Sequence, residues 1–324
     1  MASYRVQSPI LFLIFNRPDT TIQVFEQIKR AQPSRLYIAA DGPRSTRETD
    51  TYLCEQTRAI LRSIDWDCEV RTLFRDENLG CKEAVSSAIT WFFDQEEEGI
   101  ILEDDCLPAD DFFRFCDILL EKYRYDTRIR YISGCNLQQG QVYGRASYYF
   151  SHLPNAWGWA SWKRVWNDYD KDLIAYQSAD IYSQFLKIFN EPLLAEAWTQ
   201  IFIDLKANKI DTWDYQLSII NFFNNGLAIT PNVNMIKNIG FGENATHTFN
   251  SNDINANMSI GNIGEIIHPQ YIIPERDADF YRLNSEFDIN KKKKKQRSNK
   301  ARLKRCFKKI KGILFDKRIM KDSI

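Results

Sequence analysis

The sequence predicts an α/β fold, a mainly parallel sheet flanked by helices, and three observations carry that prediction. Short apolar runs recur and end in polar or turn residues, segments with helical apolar spacing separate them, and charged residues follow directly on the run ends. With 324 residues, 44% of them apolar and 14% aromatic, the chain has the means to bury a large core, which excludes wholesale disorder and fibrous repeats.

The elements follow in order. Ile10–Phe15 is an apolar run ended by Asn16-Arg17-Pro18, a buried strand and then a helix start; Thr20–Arg30 sets Ile22, Phe25 and Ile28 on one helical face. Leu36–Ala40 is a second strand, stopped by Asp41-Gly42-Pro43, and Cys68–Phe74 a third. Cys81–Phe93 reads as a helix with Ala84, Val85, Ala88 and Phe92 in register. Gly99–Leu102 is a fourth strand running into Glu103-Asp104-Asp105, Phe112–Tyr123 is helical, and Arg130–Ser133 is a fifth strand. Beyond residue 135 the pattern turns helical and rich in tryptophan. Ser183–Leu205 is helix-prone, Asp211-Thr-Trp213-Asp214 opens a helix reaching Phe223, and Leu227–Thr230 is a late strand before a polar glycine loop at Asn238–His247.

In parallel sheets ligands bind beyond the carboxyl ends of the strands. Here those ends carry Asn16-Arg17, Asp41, Arg75 and Glu103-Asp104-Asp105, which the topology gathers around one crevice. The sequence contains no G-x-G-x-x-G, no G-x-x-x-x-G-K-[ST] and no G-x-S-x-G, which removes dinucleotide dehydrogenases, P-loop NTPases and serine hydrolases. Seven cysteines without a C-x-x-C pair indicate neither a disulfide framework nor a zinc cluster and suit a reducing compartment. No apolar run approaches the roughly 20 residues of a membrane span, and the N-terminus lacks a secretory layout, so a cytoplasmic protein is expected.

Three adjacent acids at the mouth of an apolar strand repel one another and cost desolvation. A hard divalent cation, Mn²⁺ or Mg²⁺, relieves that and completes its shell with a diphosphate; the alternative is a solvated acidic turn. Asp214, between Trp213 and Tyr215 near a helix start, reads either as a general base or as an acid favoured by the helix dipole. Trp157, Gly158 and Trp159, followed by Trp162 and Trp166, suit a sugar-stacking platform or plain core. His152, His247 and His268 each read as loop or packing residues, with His247 near enough to the glycine loop to approach a phosphate or metal.

The zero net charge conceals two objects. Residues 291–321 carry 16 Lys/Arg against one acid, and residues 1–290 carry 27 bases against 41 acids. Lys291–Lys295 is expected to repel itself and stay extended. Beyond it Leu303, Phe307, Ile310, Ile313 and Leu314 recur at helical spacing among basic residues, a pattern that suits an anionic membrane surface better than nucleic acid.

The segments Phe12-Leu-Ile-Phe-Asn16-Arg17-Pro18, Ala40-Asp41-Gly42, Asn78-Leu-Gly80-Cys-Lys82 and Ile101-Leu-Glu103-Asp104-Asp105-Cys-Leu-Pro108 resemble, in order, those of nucleotide-diphosphosugar glycosyltransferases of the Rossmann-like GT-A fold. The layout is most similar to the N-acetylglucosaminyltransferase I-like family and its bacterial relatives. Ala156-Trp157-Gly158-Trp159, Trp213-Asp214 and Gly240-Phe241-Gly242 match later elements, so the resemblance spans about residues 8–250.

The resemblance implies a metal-dependent, inverting transfer from a UDP-sugar to a glycan or lipid-linked acceptor in surface polysaccharide synthesis. It puts Asn16 and Arg17 by the base or diphosphate, Asp41 at the uracil or ribose, Glu103 and Asp104 at the ribose and metal-bound water, Asp105 on Mn²⁺, and Asp214 as the base. Arg75 and Lys82 join the nucleotide-sugar set by position, and Trp157, Gly158, Trp159 and Trp213 the acceptor pocket. The expected organisation is a glycosyltransferase domain at 1–275, with a nucleotide-sugar half at 1–135 and an acceptor half at 136–275. A linker and basic amphipathic tail follow at 276–324, holding the enzyme at the inner face of the membrane. The alternatives are a catalytically silent sugar-binding or assembly protein on the same fold, a sugar-phosphate nucleotidyltransferase, disfavoured by the absence of a glycine-rich loop after the first strand, and a nucleic-acid-associated protein.

Overall fold

A computed structural model of the chain describes residues 4–242 and 254–298. The first half runs β1 (Ile10–Ile14), α1 (Pro18–Ala31), β2 (Arg35–Ala40), α2 (Asp50–Ala59), β3 (Glu69–Phe74), α3 (Cys81–Phe93), β4 (Glu98–Glu103), β5 (Cys106–Pro108) and α4 (Asp111–Tyr123). The second half runs β6 (Ile129–Ser133), β7 (Tyr148–Ser151), β8 (Trp159–Trp162), α5 (Lys163–Trp166), α6 (Ile181–Phe189), α7 (Pro192–Lys206), α8 (Asp214–Phe223), β9 (Leu227–Pro231), β10 (Ile236–Asn238) and α9 (Arg276–Phe287).

Eight strands form one sheet in the order β3-β2-β1-β4-β8-β6-β9-β7, and β5 pairs with β10 in a separate two-stranded ribbon. β3, β2, β1 and β4 are mutually parallel, as are β6 and β9; β8 lies antiparallel to both its neighbours, and β7 to β9. The molecule therefore has the expected α/β class. Side chains of β1 alternate between two cores. Ile10, Phe12 and Ile14 meet Phe25 and Ile28 of α1 and Phe112 and Phe115 of α4, whereas Leu11 and Leu13 meet Ile89 and Phe92 of α3. A strand buried on both faces is what a continuous apolar run encodes. A third cluster joins α6, α7, α8 and α9 through Phe185, Trp198, Phe222 and Leu283.

Several expectations are corrected. In α1 the buried face is Thr21, Val24, Phe25, Ile28 and Ala31, and Ile22 is 38% exposed, one position off the stripe. Beyond residue 135 the pattern is not only helical, because Trp159–Trp162 in the tryptophan segment is a central strand. Ser183–Leu205 is two helices, broken where Asn190 adopts φ 49° ahead of Pro192.

The stretch after 275 is not a linker. α9 buries Ala278 and Leu283, and its Asp279 accepts hydrogen bonds from Ser151 Oγ and His152 N. Residues 289–298 are helical rather than extended. Opposite charge and a ring offset the lysine repulsion there: Lys293 pairs with Glu191 and lies 5.9 Å from the Phe280 ring, and Lys291 lies 3.7 Å from Asp288. The apolar positions 303–314 fall outside the described residues. Among the described residues no helix is long and apolar enough to cross a membrane.

Candidate active site

The chain runs outward from β1 to β2 and β3, then returns to place β4 on β1's other side, so the sheet reverses direction of growth at the β1/β4 boundary. Polar residues at the carboxyl ends of these strands converge there. Three cavities adjoin along the crevice. The inner one, about 260 Å³, is lined by Phe15, Arg17, Asp41, Arg75, Asn78 and Asp104 among others. The middle one, about 360 Å³, shares Arg17, Cys81 and Glu103 with it and adds Asp105, Trp213 and Asp214. The outer one, about 390 Å³, shares Trp157, Asp214 and Tyr215 with the middle.

Arg17 and the acidic triplet form one electrostatic unit. Arg17 Nη1 lies 3.0 Å from Asp105 Oδ2 and its Nε 3.8 Å from Asp104 Oδ1, while the Phe15 backbone N–H donates to Asp104 Oδ2 at 3.1 Å across the β1/β4 boundary. Burial holds the Asp104 carboxyl up at about 6 despite Arg17. Burial and the neighbouring Asp105 and Asp104 push Glu103 well above the usual carboxylate range. Asp105 is also tied through its backbone, whose carbonyl accepts from Ile239 N at 2.8 Å. Gly240 closes over this unit. A side chain there would strike Asp105 Oδ2 and Cβ and Arg17 Nη1, so any residue but glycine displaces this ion pair.

The other nucleotide-site candidates divide. Arg75 lines the inner cavity, donates to Ser87 Oγ at 2.8 Å, and has its pKa lowered by burial. Asp41 lines it too, yet its carboxylate is occupied with backbone, accepting from Gly42 N, Leu79 N and Gly80 N and from Asn78 Nδ2; it shapes the loop leading into α3. Burial raises its pKa against those donors. Asn16 and Lys82 do not line the cavity. Asn16 Nδ2 donates to Asp50 Oδ1, which Arg44 also holds, and Lys82 Nζ pairs with Asp172 at 2.7 Å and Asn208 at 3.2 Å. Each finds a local partner of opposite polarity that sequence order does not reveal.

Asp214 stands where the middle and outer cavities meet, at the start of α8. Its Oδ1 accepts from Thr212 Oγ1 and, at 2.9 Å, from Tyr215 N. Among the described residues Oδ2 accepts no hydrogen bond, which leaves one oriented carboxylate oxygen toward which a proton can move. A residue the sequence did not single out fixes this loop. Asp211 accepts from Cys81 N at 3.1 Å and Lys82 N at 2.9 Å, capping α3 from 130 positions away.

The tryptophans also divide. Trp157 is half-buried and lines the middle and outer cavities, with its ring edge-to-face to Phe241 at 5.8 Å. Trp159 is core, stacked on Tyr131 at 4.4 Å and on Trp213 at 5.7 Å. Trp213 is buried but still lines the middle cavity. Gly158, at φ +57°, lies against Ile236 and Leu102, where a side chain has no room. His152 pairs with Asp279 and His268 with the Tyr148 hydroxyl; His247 falls outside the described residues.

Among the described residues no three His, Cys, Asp or Glu side chains stand grouped for a metal. The donor chemistry still fits a hard divalent cation, because small cations of this kind take one or two carboxylates and complete their shell with phosphate and water. Asp104 and Asp105 are the residues that would hold it.

No family profile and no curated protein matches the chain. Solved structures overlap it loosely. HddC from Yersinia pseudotuberculosis is 12% identical at a TM-score of 0.31, over 50% of this chain and 80% of that one. The 4-diphosphocytidyl-2C-methyl-D-erythritol synthase from Anaerococcus prevotii is 11% identical at 0.34, over 56% and 84%. The glycosyltransferase GlyE from Streptococcus pneumoniae is 10% identical at 0.33, over 69% of this chain and 45% of that one. Overlaps this loose carry no inference about chemistry, and the site stands on its own residues.

Proposed function

We propose that the chain is a glycosyltransferase of the GT-A type that moves a sugar from a UDP-sugar to a hydroxyl of a glycan or lipid-linked acceptor, with inversion, in surface polysaccharide synthesis. The observation that carries this reading is the continuity of the crevice: Glu103, Asp105 and Asp214 line one middle cavity, which adjoins the cavity of Arg17, Arg75 and Asp104 on one side and the cavity of Trp157 and Trp198 on the other. The nucleotide takes the inner cavity, with Arg75 and Arg17 toward the diphosphate. When bound, Mn²⁺ or Mg²⁺ supplies positive charge against the diphosphate, held by Asp105 and Asp104.

Asp214 accepts the acceptor's hydroxyl proton on Oδ2 while Thr212 and the Tyr215 amide fix Oδ1. The acceptor oxygen bonds to the anomeric carbon as the bond to the UDP oxygen breaks, and the electron pair leaves with UDP. A single base on the acceptor side suits one displacement rather than a covalent intermediate. The basic segment 291–321 would then hold the enzyme on an anionic membrane surface, next to a lipid-linked acceptor.

A second reading, sugar binding without turnover, is favoured by one contact, the Arg17–Asp105 ion pair, which occupies a metal-ligating oxygen. Calorimetric titration of UDP with and without Mn²⁺, on the wild type and on Asp105→Asn, tests the donor site. Mn²⁺-dependent binding lost in the variant is expected, and absence of UDP binding in the wild type overturns the reading. Turnover of UDP-sugars then separates the transferase from the silent protein.

A further inference from the structure

We infer that the outer cavity, between α8 and α9, is a site for an uncharged sugar unit of the acceptor, with Arg282 and Glu286 of α9 as its specificity residues; this rests on the glycosyl-transfer reading above. Arg282, Ser285 and Glu286 line the cavity and fall three and four positions apart, on one face of α9. That helix is anchored as a wall. Asp279 is held by Ser151 and His152, Leu283 is buried, and Gln138 Nε2 donates to the Ala278 carbonyl at 3.1 Å.

The opposite wall begins at Asp214 and continues along α8 with Leu217 and Ser218, and the rings of Trp157 and Trp198 complete the enclosure. Aromatic faces pack on the apolar faces of pyranose rings, while charged side chains bind the hydroxyls around the rim. At about 390 Å³ the space falls in the usual range of small-ligand clefts, ~300–1,000 Å³.

Charge selects within that class. Two carboxylates, Asp214 and Glu286, face the cavity against one guanidinium, and Arg282 Nη1 already reaches the Pro154 carbonyl at 3.4 Å. A uronic acid or a phosphorylated sugar meets net repulsion, whereas neutral hydroxyls find acceptors on the carboxylates and a donor on Arg282. Glu286 makes no hydrogen bond or ion pair among the described residues, so its carboxyl group is available to a ligand hydroxyl, although burial and the nearby Asp214 raise its pKa against Arg282. Two wall residues also carry buried donors with no partner among the described residues, the Tyr131 hydroxyl and the Trp198 indole N–H. A ligand oxygen that reaches either gains a bond the protein alone does not make.

Direct binding tests this independently of turnover. Saturation-transfer NMR on the full chain uses methyl β-D-glucoside, methyl β-D-galactoside, methyl β-D-N-acetylglucosaminide and methyl β-D-glucuronide as probes, with Glu286→Gln and Ser285→Trp as variants. At least one neutral glycoside should bind, the glucuronide should bind more weakly, and affinity should fall about tenfold in Glu286→Gln. Ser285→Trp fills the cavity from an exposed position and should abolish binding even if the other variant folds poorly. Melting temperatures of both variants control for folding. The inference is overturned if no neutral glycoside binds, if the glucuronide binds best, or if folded variants bind like the wild type. UDP titration of the wild type reports on the donor separately. Glycoside binding without UDP binding sinks the transferase and leaves this site, and UDP binding without glycoside binding does the reverse.

Discussion

The carboxylate of Asp211 receives the backbone N–H of Lys82 at 2.9 Å, together with that of Cys81, so the loop leading to Asp214 is moored to the helix that borders the inner cavity. Asp41 moors the other side of the same junction through Leu79 and Gly80. These four bonds put the proposed base and the proposed nucleotide pocket on one joint.

Asp211→Ala removes that mooring. Two bonds from backbone N–H groups to a charged acceptor are lost, so the protein should lose about 1–2 kcal/mol of stability by denaturant melt. Turnover should fall further than the stability loss explains, because Asp214 is released along with its loop. Wild-type kcat in a folded Asp211→Ala would remove Asp211 as a positioning residue.

Asp214→Asn keeps the shape and removes the basic oxygen. Transfer should drop by about 10²–10⁴-fold, with UDP affinity changed little because the inner cavity is intact. The check is a coupled UDP-release assay beside a UDP titration; near-normal release would rule Asp214 out as the base.

Asp104 gives a pH signature. Its folded pKa, about 6, lies above that of an unfolded aspartate, so the charged form costs the fold. The associated stability is full below the ordinary carboxylate range and is lost as pH rises through about 6. Metal-free Asp104→Asn should therefore melt higher than the wild type at pH 7.5, with the gap closing toward pH 5. Mn²⁺ needs the carboxylate ionised, so its affinity for the wild type should weaken as pH falls through 6. Melting curves and Mn²⁺ titrations at pH 5, 6 and 7.5 measure both.

The tryptophan pair separates site from core. Trp159→Ala empties a buried stack and should cost about 3–5 kcal/mol, whereas Trp157→Ala, half-buried at the cavities, should melt within about 1 kcal/mol of the wild type and lose acceptor use. Equal melting of the two variants would contradict the assignment of Trp159 to the core.

Gly240→Ala forces a methyl group against Asp105 and Arg17. Mn²⁺-dependent UDP affinity should fall about tenfold or more, while a Gly140→Ala control, whose glycine has nothing within 4 Å and a left-handed φ of +83°, should lower stability and leave that affinity unchanged.

The parts of this molecule legible in its sequence are those where one local pattern decides the outcome. β1 and β4 read as strands because both faces are apolar, and the charged residues behind them had to gather once the strands were parallel. β8 was not legible, since four residues with three aromatic or small neighbours fit a loop as well as a strand. α2 carries a weakly apolar face among Asp50, Glu55 and Arg58 and leaves little periodic signal. Asn16 and Lys82 were drawn into the site by their neighbours in sequence, yet each turns to a partner 34 or 90 positions away. Asp211 was missed for the converse reason: nothing near it hints at the helix end it caps. The acidic triplet announced itself, but Arg17's bridge between Asp104 and Asp105 is a tertiary fact. So is the wall formed by Arg282 and Glu286, because a mostly polar helix after residue 275 looks like a spacer until its buried Leu283 is seen.

β8 also governs the order in which the chain can assemble. Among the described residues of the sheet it is the sole bridge between the strands of residues 10–103 and those of residues 129–231, fixed by pairing Ile101 with Trp159 on one side and Ile132 with Ala160 on the other. During synthesis β4 is complete about sixty residues before Trp162 exists, and until then it presents Gly99, Ile100 and Ile101 as an unpaired apolar edge. Ribosome-bound fragments that end between residue 140 and Trp162 therefore carry an aggregation-prone edge, and chaperone demand should fall once Trp162 has cleared the exit tunnel.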